Sequence, residues 1–241
     1  ILGGLCTLAA LMIFATLVRQ IWGQHNALLA LLAGLCITFY NGRLNYYNHN
    51  VLLMLCISLS AYCWWQILTT GRARWWLALG VSAGLGMLSK YQYLLVAVPS
   101  AYMVWQLKPW RNKQQLQGLG LAILTATLLF LPHLWWLLQQ DMANSPIQYA
   151  LKTSRPEFMQ SAIPVANRLH SGIWLMDLLF NRCLPAILFL LIVKALRPAV
   201  SVDPGDKTTN ISGSRFLLVW GIFPPLCITL LGLFLGMDLQ M

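Results

Sequence analysis

The chain has 241 residues, of which 59% are hydrophobic and 9% charged, with a formal net charge of +10 at pH 7. Soluble domains carry about 25% charged residues, so this composition excludes an ordinary soluble globular protein and points to an integral membrane protein. Basic loops facing anionic lipid and phosphate account for the positive balance, which gives no ground for nucleic-acid binding.

Apolar runs recur at 1–18, 27–40, 51–68, 75–88, 91–107, 118–138, 173–196 and 216–236. They predict an all-α fold, a polytopic transmembrane helical bundle with about eight spans. The runs 27–40 and 75–88 fall short of the ~20 residues a crossing needs and require their flanks to complete it. The first run starts at Ile1 with no charged flank, and the last is followed at once by Met237-Asp238-Leu239-Gln240-Met241. The chain is therefore expected to be an internal part of a longer protein, with 1–241 lying within a single transmembrane domain.

Alternating the spans distributes the sixteen Lys and Arg residues between two faces. Arg19, Arg72, Arg74, Lys108, Arg111, Lys113, Lys194, Arg197, Lys207 and Arg215 fall on one, which is expected to be cytoplasmic and to include the loop 197–215. Arg43, Lys90, Lys152, Arg155, Arg168 and Arg182 fall on the other, together with the longest hydrophilic segment, 139–172. The pairs Trp64-Trp65, Trp75-Trp76 and Trp135-Trp136 stand near the proposed interfaces, as an aromatic belt does. Asn210-Ile211-Ser212 is a formal glycosylation sequon, but on the cytoplasmic side it reads as chance.

Six cysteines lie in or beside apolar runs without a C-x-x-C pair and read as packing thiols. The four histidines are scattered without an H-E-x-x-H pattern, so no metal site is expected from them. Gly80 and Gly84 have the G-x-x-x-G spacing that permits close helix contact, within the chain or between chains. Asp177, Asn181 and Arg182 suit an amphipathic helix on the outer surface, and Asp141 and Glu157 suit helix ends or ion pairs.

Lys90 is the only formal charge between Trp75 and Leu107. An ammonium near lipid costs several kcal/mol unless it has an anionic partner or an aqueous boundary, so it marks a turn at the membrane face or a bound anion. On the same face lie Arg43, Asn48, His49 and Asn50, then Tyr91, His133 and the long loop with Tyr149. Nearly all side chains able to do chemistry therefore share one side.

The string Gly84-Leu85-Gly86-Met87-Leu88-Ser89-Lys90-Tyr91, with Arg74-Trp75-Trp76-Leu77 and Gly80 before it, resembles the signature of the family 39 glycosyltransferases. These are polytopic GT-C enzymes that include protein O-mannosyltransferases and lipid A aminoarabinose transferases. The resemblance covers most of 1–149 and includes Leu131-Pro132-His133-Leu134-Trp135-Trp136 and Asn144-Ser145-Pro146-Ile147-Gln148-Tyr149. It implies transfer of a sugar, with inversion, from a polyprenyl-phosphate donor to a lipid, glycan or protein acceptor on the outer face. The expected setting is a bacterial inner membrane.

By that resemblance, Lys90, Tyr91 and Arg43 are candidates for the donor phosphate, and Asn48, Asn50, His133 and Tyr149 for the sugar or acceptor. The competing readings are a snorkelling interfacial lysine for Lys90, a boundary arginine for Arg43, a polar turn for Asn48 and Asn50, and a solvated loop residue for Tyr149. Asn48-His49-Asn50 stands where many members are acidic, which weighs against a second carboxylate there. Nothing before Arg19 is acidic, so the catalytic Asp is expected upstream of Ile1. No cofactor is firmly implied, and a divalent cation stays open. Two other classes compete: a secondary transporter, which should show repeated halves that this sequence lacks, and a non-catalytic scaffold, favoured by the missing base.

Overall fold

A computed structural model describes residues 1–37, 49–139, 183–196 and 212–235, with Ile173, Met176 and Phe180. Its elements are α1 (Leu2–Leu35), α2 (His49–Thr70), α3 (Ala73–Ser89), a 3-10 helix (Tyr91–Val96), α4 (Ala97–Leu107), a 3-10 turn (Pro109–Arg111), α5 (Lys113–Leu138), α6 (Leu184–Leu196) and α7 (Gly213–Leu235). No strand occurs among the described residues. Helix is what apolar segments must form in lipid, where each backbone N–H and C=O needs a partner within its own segment.

Each of the eight apolar runs contains helix, and α1, α2 and α5 are long and apolar enough to cross a membrane. With 17 residues, α3 spans about 26 Å at ~1.5 Å per residue, a little under the hydrocarbon thickness. The chain is an integral membrane protein with an all-helical fold.

The first two runs are the arms of one hairpin. Gly23 takes φ 86 and ψ 171 inside α1, a conformation that an L side chain rarely adopts. The reversal brings Gly34 back beside Leu11, where an added Cβ would lie 3.4 Å from Leu11 Cδ2. Gly71, at φ 64, ends α2 in the left-handed conformation that commonly closes helices.

The run 91–107, expected as a single span, is divided instead. Lys90 is extended (φ −161, ψ 133), residues 91–96 form the 3-10 helix, and α-helix begins only at Ala97. Pro99 supplies a reason: it has no N–H for an α-helical bond to Leu95, yet is tolerated in the first turn of α4. On the far side of α4, Asn112 caps α5 by accepting from the Gln114 N–H at 2.9 Å. Pro132 lies inside α5, which continues to Leu138.

Packing centres on α3, which lies against both α2 and α5, while α1 packs on α2. Because lipid is as apolar as leucine, such helices associate through close contact and buried hydrogen bonds. Gly80 and Gly84 supply the contact within the chain. A Cβ on Gly80 would lie 2.5 Å from Ala122 O, and one on Gly84 2.8 Å from Leu129 Cβ. Gly118 of α5 likewise makes room for the Trp76 ring. Around this seam the core gathers Trp64, Trp76, Ile67, Met103, Leu17 and Phe216, and the Trp64 and Trp76 rings meet edge to face at 5.5 Å. Cys56 and Cys63 are buried there as packing thiols.

Hydrogen bonds fix the register of the helix ends. The Gln20 carbonyl oxygen accepts from Gln66 Nε2 at 3.0 Å, and Trp22 Nε1 donates to Ser214 Oγ at 3.3 Å. This joins the α1 turn to the end of α2 and the start of α7. Arg19, Arg72, Arg74, Lys108, Arg111, Lys113 and Arg215 all stand on or beside the turns of this end, and all are exposed. From the opposite end, the described parts of α2 to α5 and the junction between α3 and the 3-10 helix contribute one cation, Lys90.

Candidate functional site

The Lys90 end is assembled from three elements. The start of α2 provides His49 and Asn50, the break after α3 provides Ser89, Lys90 and Tyr91, and the last turns of α5 provide His133 and Trp136. Ser89 Oγ donates to the His49 carbonyl at 2.7 Å, pinning the break to the first residue of α2. Immediately beside it, Lys90 Nζ donates to Asn50 Oδ1 at 3.0 Å. The two partners stand forty positions apart in sequence.

The glycine-rich block sets this position. Gly80 and Gly84 hold α3 against α5, and Gly86 leaves the space that the Tyr93 ring occupies. Tyr93 is anchored at both ends. Its N–H donates to the Lys90 carbonyl at 2.9 Å, and its hydroxyl hydrogen-bonds Ser60, which in turn bonds Ser82 at 2.7 Å. Both serine side chains are fully buried. The backbone on either side of Lys90 is thus tied to α2 and α3, and Lys90 N itself donates to Gly86 O at 3.0 Å.

Lys90 is half-buried, and that burial pulls its pKa down from the ordinary 10.5. Its bonded partner is a neutral amide, which orients the ammonium without cancelling its charge. An ammonium has three donors, so the Asn50 bond leaves capacity for an anion. Carboxylates are absent from the described residues: Asp141, Glu157, Asp177, Asp203, Asp206 and Asp238 all lie outside them.

Tyr91 Oη and His133 Nε2 are 2.6 Å apart, and either can donate. The His133 ring stacks on Trp136 at 5.6 Å and meets Phe130 edge to face at 5.4 Å. A cavity of about 320 Å³ opens between α3, the 3-10 helix, α4 and α5, running from the middle of these helices to Met87 and Tyr93, near Lys90 in sequence. Its walls are apolar, with Ala83, Met87, Leu94, Ala101 and Ile123 among them.

Four sequence-derived candidates, Lys90, Asn50, Tyr91 and His133, therefore meet as two hydrogen-bonded pairs at one end. Arg43, Asn48 and Tyr149 lie outside the described residues, as do Asp177, Asn181 and Arg182. The sequence did not single out Ser60, Ser82 and Tyr93, because isolated small polar residues inside apolar runs look like neutral packing. Among the described residues no three His, Cys, Asp or Glu side chains gather into a metal-binding group.

The same stretch of chain carries the family relationship. The profile of the dolichyl-phosphate-mannose-protein mannosyltransferase family matches residues 1–136, more than half of the sequence and all of the Lys90 end just described. The chain belongs to that family. A curated relative is the lipopolysaccharide core galacturonosyltransferase RgtA of Rhizobium johnstonii, 25% identical over 142 residues. That alignment covers 59% of this chain and 28% of the relative, so the chain spans well under half of that protein's length. No solved structure matches. Membership agrees with the family 39 resemblance of the sequence, and the family's matched region ends just past His133.

Proposed function

We propose that this chain is part of a membrane glycosyltransferase that takes a sugar from a polyprenyl-phosphate donor, with Lys90 as the cation that receives the donor phosphate. The observation that carries this reading is the Lys90 to Asn50 bond: a half-buried ammonium, held at 3.0 Å by a neutral amide, with no carboxylate among the described residues. A charge so placed is poised for an anion, and the leaving group of this reaction is a phosphate. The apolar cavity suits the first isoprene units of the donor tail. The Tyr91 and His133 pair, beside Lys90, suits the donor sugar or acceptor.

Transfer proceeds with inversion on the outer face of a bacterial inner membrane, to a lipid, glycan or protein acceptor. Removing the proton from the acceptor hydroxyl requires a general base. We assign that task to a carboxylate outside the described residues, so the Lys90 end binds and orients the donor. Arg43, Asn48 and Tyr149 complete the proposal as further contacts to donor or acceptor.

The test is transfer of labelled sugar from its lipid-linked donor by the full-length protein in membranes. Lys90→Ala should lower kcat/KM by about 10- to 100-fold, the scale of one charge-assisted hydrogen bond. Lys90→Arg should retain part of the rate. Unchanged transfer in Lys90→Ala would remove Lys90 from the donor site.

A further inference from the structure

A second cavity lies away from Lys90, in the crotch of the α1 hairpin at the basic end. It measures about 610 Å³ and lies between the two arms, with Met12, Ala15, Thr16 and Arg19 on one and Gln24, His25, Ala27, Leu28 and Leu31 on the other. The lining is ordered by depth. Arg19, Gln24 and His25 stand by the Gly23 turn, while Met12 and Leu31 lie seven residues further along their arms, about 10 Å at ~1.5 Å per residue. Charge thus sits at the mouth and hydrocarbon below it.

Two features place that mouth at a membrane boundary. Trp22, 40% exposed, occupies the turn, where interfacial tryptophans collect. Its indole donates to Ser214 at the start of α7, which fixes the turn beside that helix. Arg19 is exposed, and no carboxylate among the described residues faces it. Among the described residues nothing stands within 4 Å of where a Gly23 Cβ would be.

From this arrangement we propose a binding site for an anionic phospholipid: the headgroup phosphate on Arg19 beside Gln24 and His25, and an acyl chain along Met12, Leu28 and Leu31. Charge complementarity selects the occupant, because the pocket combines a cationic rim with an apolar floor in the order in which a phospholipid presents phosphate and chain. The site is independent of the Lys90 end and of the transferase reading. Its role is to anchor the hairpin in the anionic leaflet.

Native mass spectrometry of the full-length protein released from nanodiscs tests it, using phosphatidylglycerol against phosphatidylcholine. Wild type should retain phosphatidylglycerol preferentially. Arg19→Gln should reduce that preference about fivefold, the equivalent of ~1 kcal/mol per interfacial cation, and leave undecaprenyl phosphate binding intact. Ala15→Trp, which fills the crotch without altering charge, should reduce retention of both lipids. Equal retention of the two lipids by wild type, or an unchanged preference in Arg19→Gln, would overturn the proposal. So would displacement of the lipid by millimolar inorganic phosphate, which would mark a free-anion site. A photo-crosslinker at Leu28 should label lipid, and labelling of another protein segment instead would assign the crotch to that segment.

Discussion

At one end of the bundle Arg19, Arg72, Arg74, Lys108, Arg111, Lys113 and Arg215 are exposed on turns, whereas at the other Lys90 is half-buried and bonded to Asn50. The first arrangement is what topology requires of basic loops. Exposed cations on turns are solvated and contribute little individually, Arg19 in its proposed lipid pocket excepted. Arg74, whose guanidinium lies 4.9 Å over the Trp75 ring, shows how such a residue can be spent on local packing. Lys90 differs because α2, α3 and the 3-10 helix restrict it, and because burial makes its charge costly. Constraint thus distinguishes the two ends better than numbers of cations do.

Charge reversal at Lys90 should break this contrast most severely. Lys90→Glu would place an anion where the donor phosphate is expected, and should lower donor affinity by more than about 100-fold in the full-length protein. Next in size is the seam that holds Lys90 in place. Gly80→Leu would drive a side chain into Ala122 and Thr125, costing about 1–3 kcal/mol by overpacking. A lowered thermal unfolding midpoint in detergent, together with a raised donor KM, would show that the seam serves the site.

Smaller effects refine the comparison. Asn50→Ala removes the orienting amide while leaving the ammonium, so donor KM should rise about 2- to 10-fold with kcat less affected. Tyr91→Phe removes one hydroxyl bond to His133 and should change kcat/KM by only a few fold. At the basic end, replacing Arg72 and Arg74 together by Gln should leave donor KM within about twofold. A loss there as large as that of Lys90→Ala would dissolve the distinction between the two ends.

Much of this organisation was legible in the sequence, for identifiable reasons. Apolar runs report helices directly, and alternating them placed Lys90, Asn50, Tyr91 and His133 at one end. The lone charge between Trp75 and Leu107 singles out Lys90 as a candidate. Hydropathy could not reveal that Lys90 pairs with Asn50, since the two stand forty positions apart and the packing of α2 on α3 sets their distance. Nor could it foresee the 3-10 helix after Lys90, because Pro99 acts on the hydrogen bond four residues back rather than on hydrophobicity. The Ser60, Ser82 and Tyr93 cluster was hidden for a related reason. Each residue alone is unremarkable, and only the interleaving of two helices with the 3-10 segment makes them partners. The G-x-x-x-G spacing permits close helix contact, within the chain or between chains, and the fold identifies α5 as the neighbour.

The central claim is that Lys90 reads the phosphate and not merely the lipid. Equilibrium binding of undecaprenyl phosphate and of undecaprenol to the full-length protein separates these directly. Wild type should prefer the phosphate at neutral pH. That preference should fall as pH rises through the Lys90 pKa, which burial places below 10.5 in the unliganded protein, because the deprotonated amine no longer attracts an anion. Lys90→Ala should lose about 10- to 100-fold of that preference, together with its dependence on pH in this range. A full preference for the phosphate in Lys90→Ala would contradict the account.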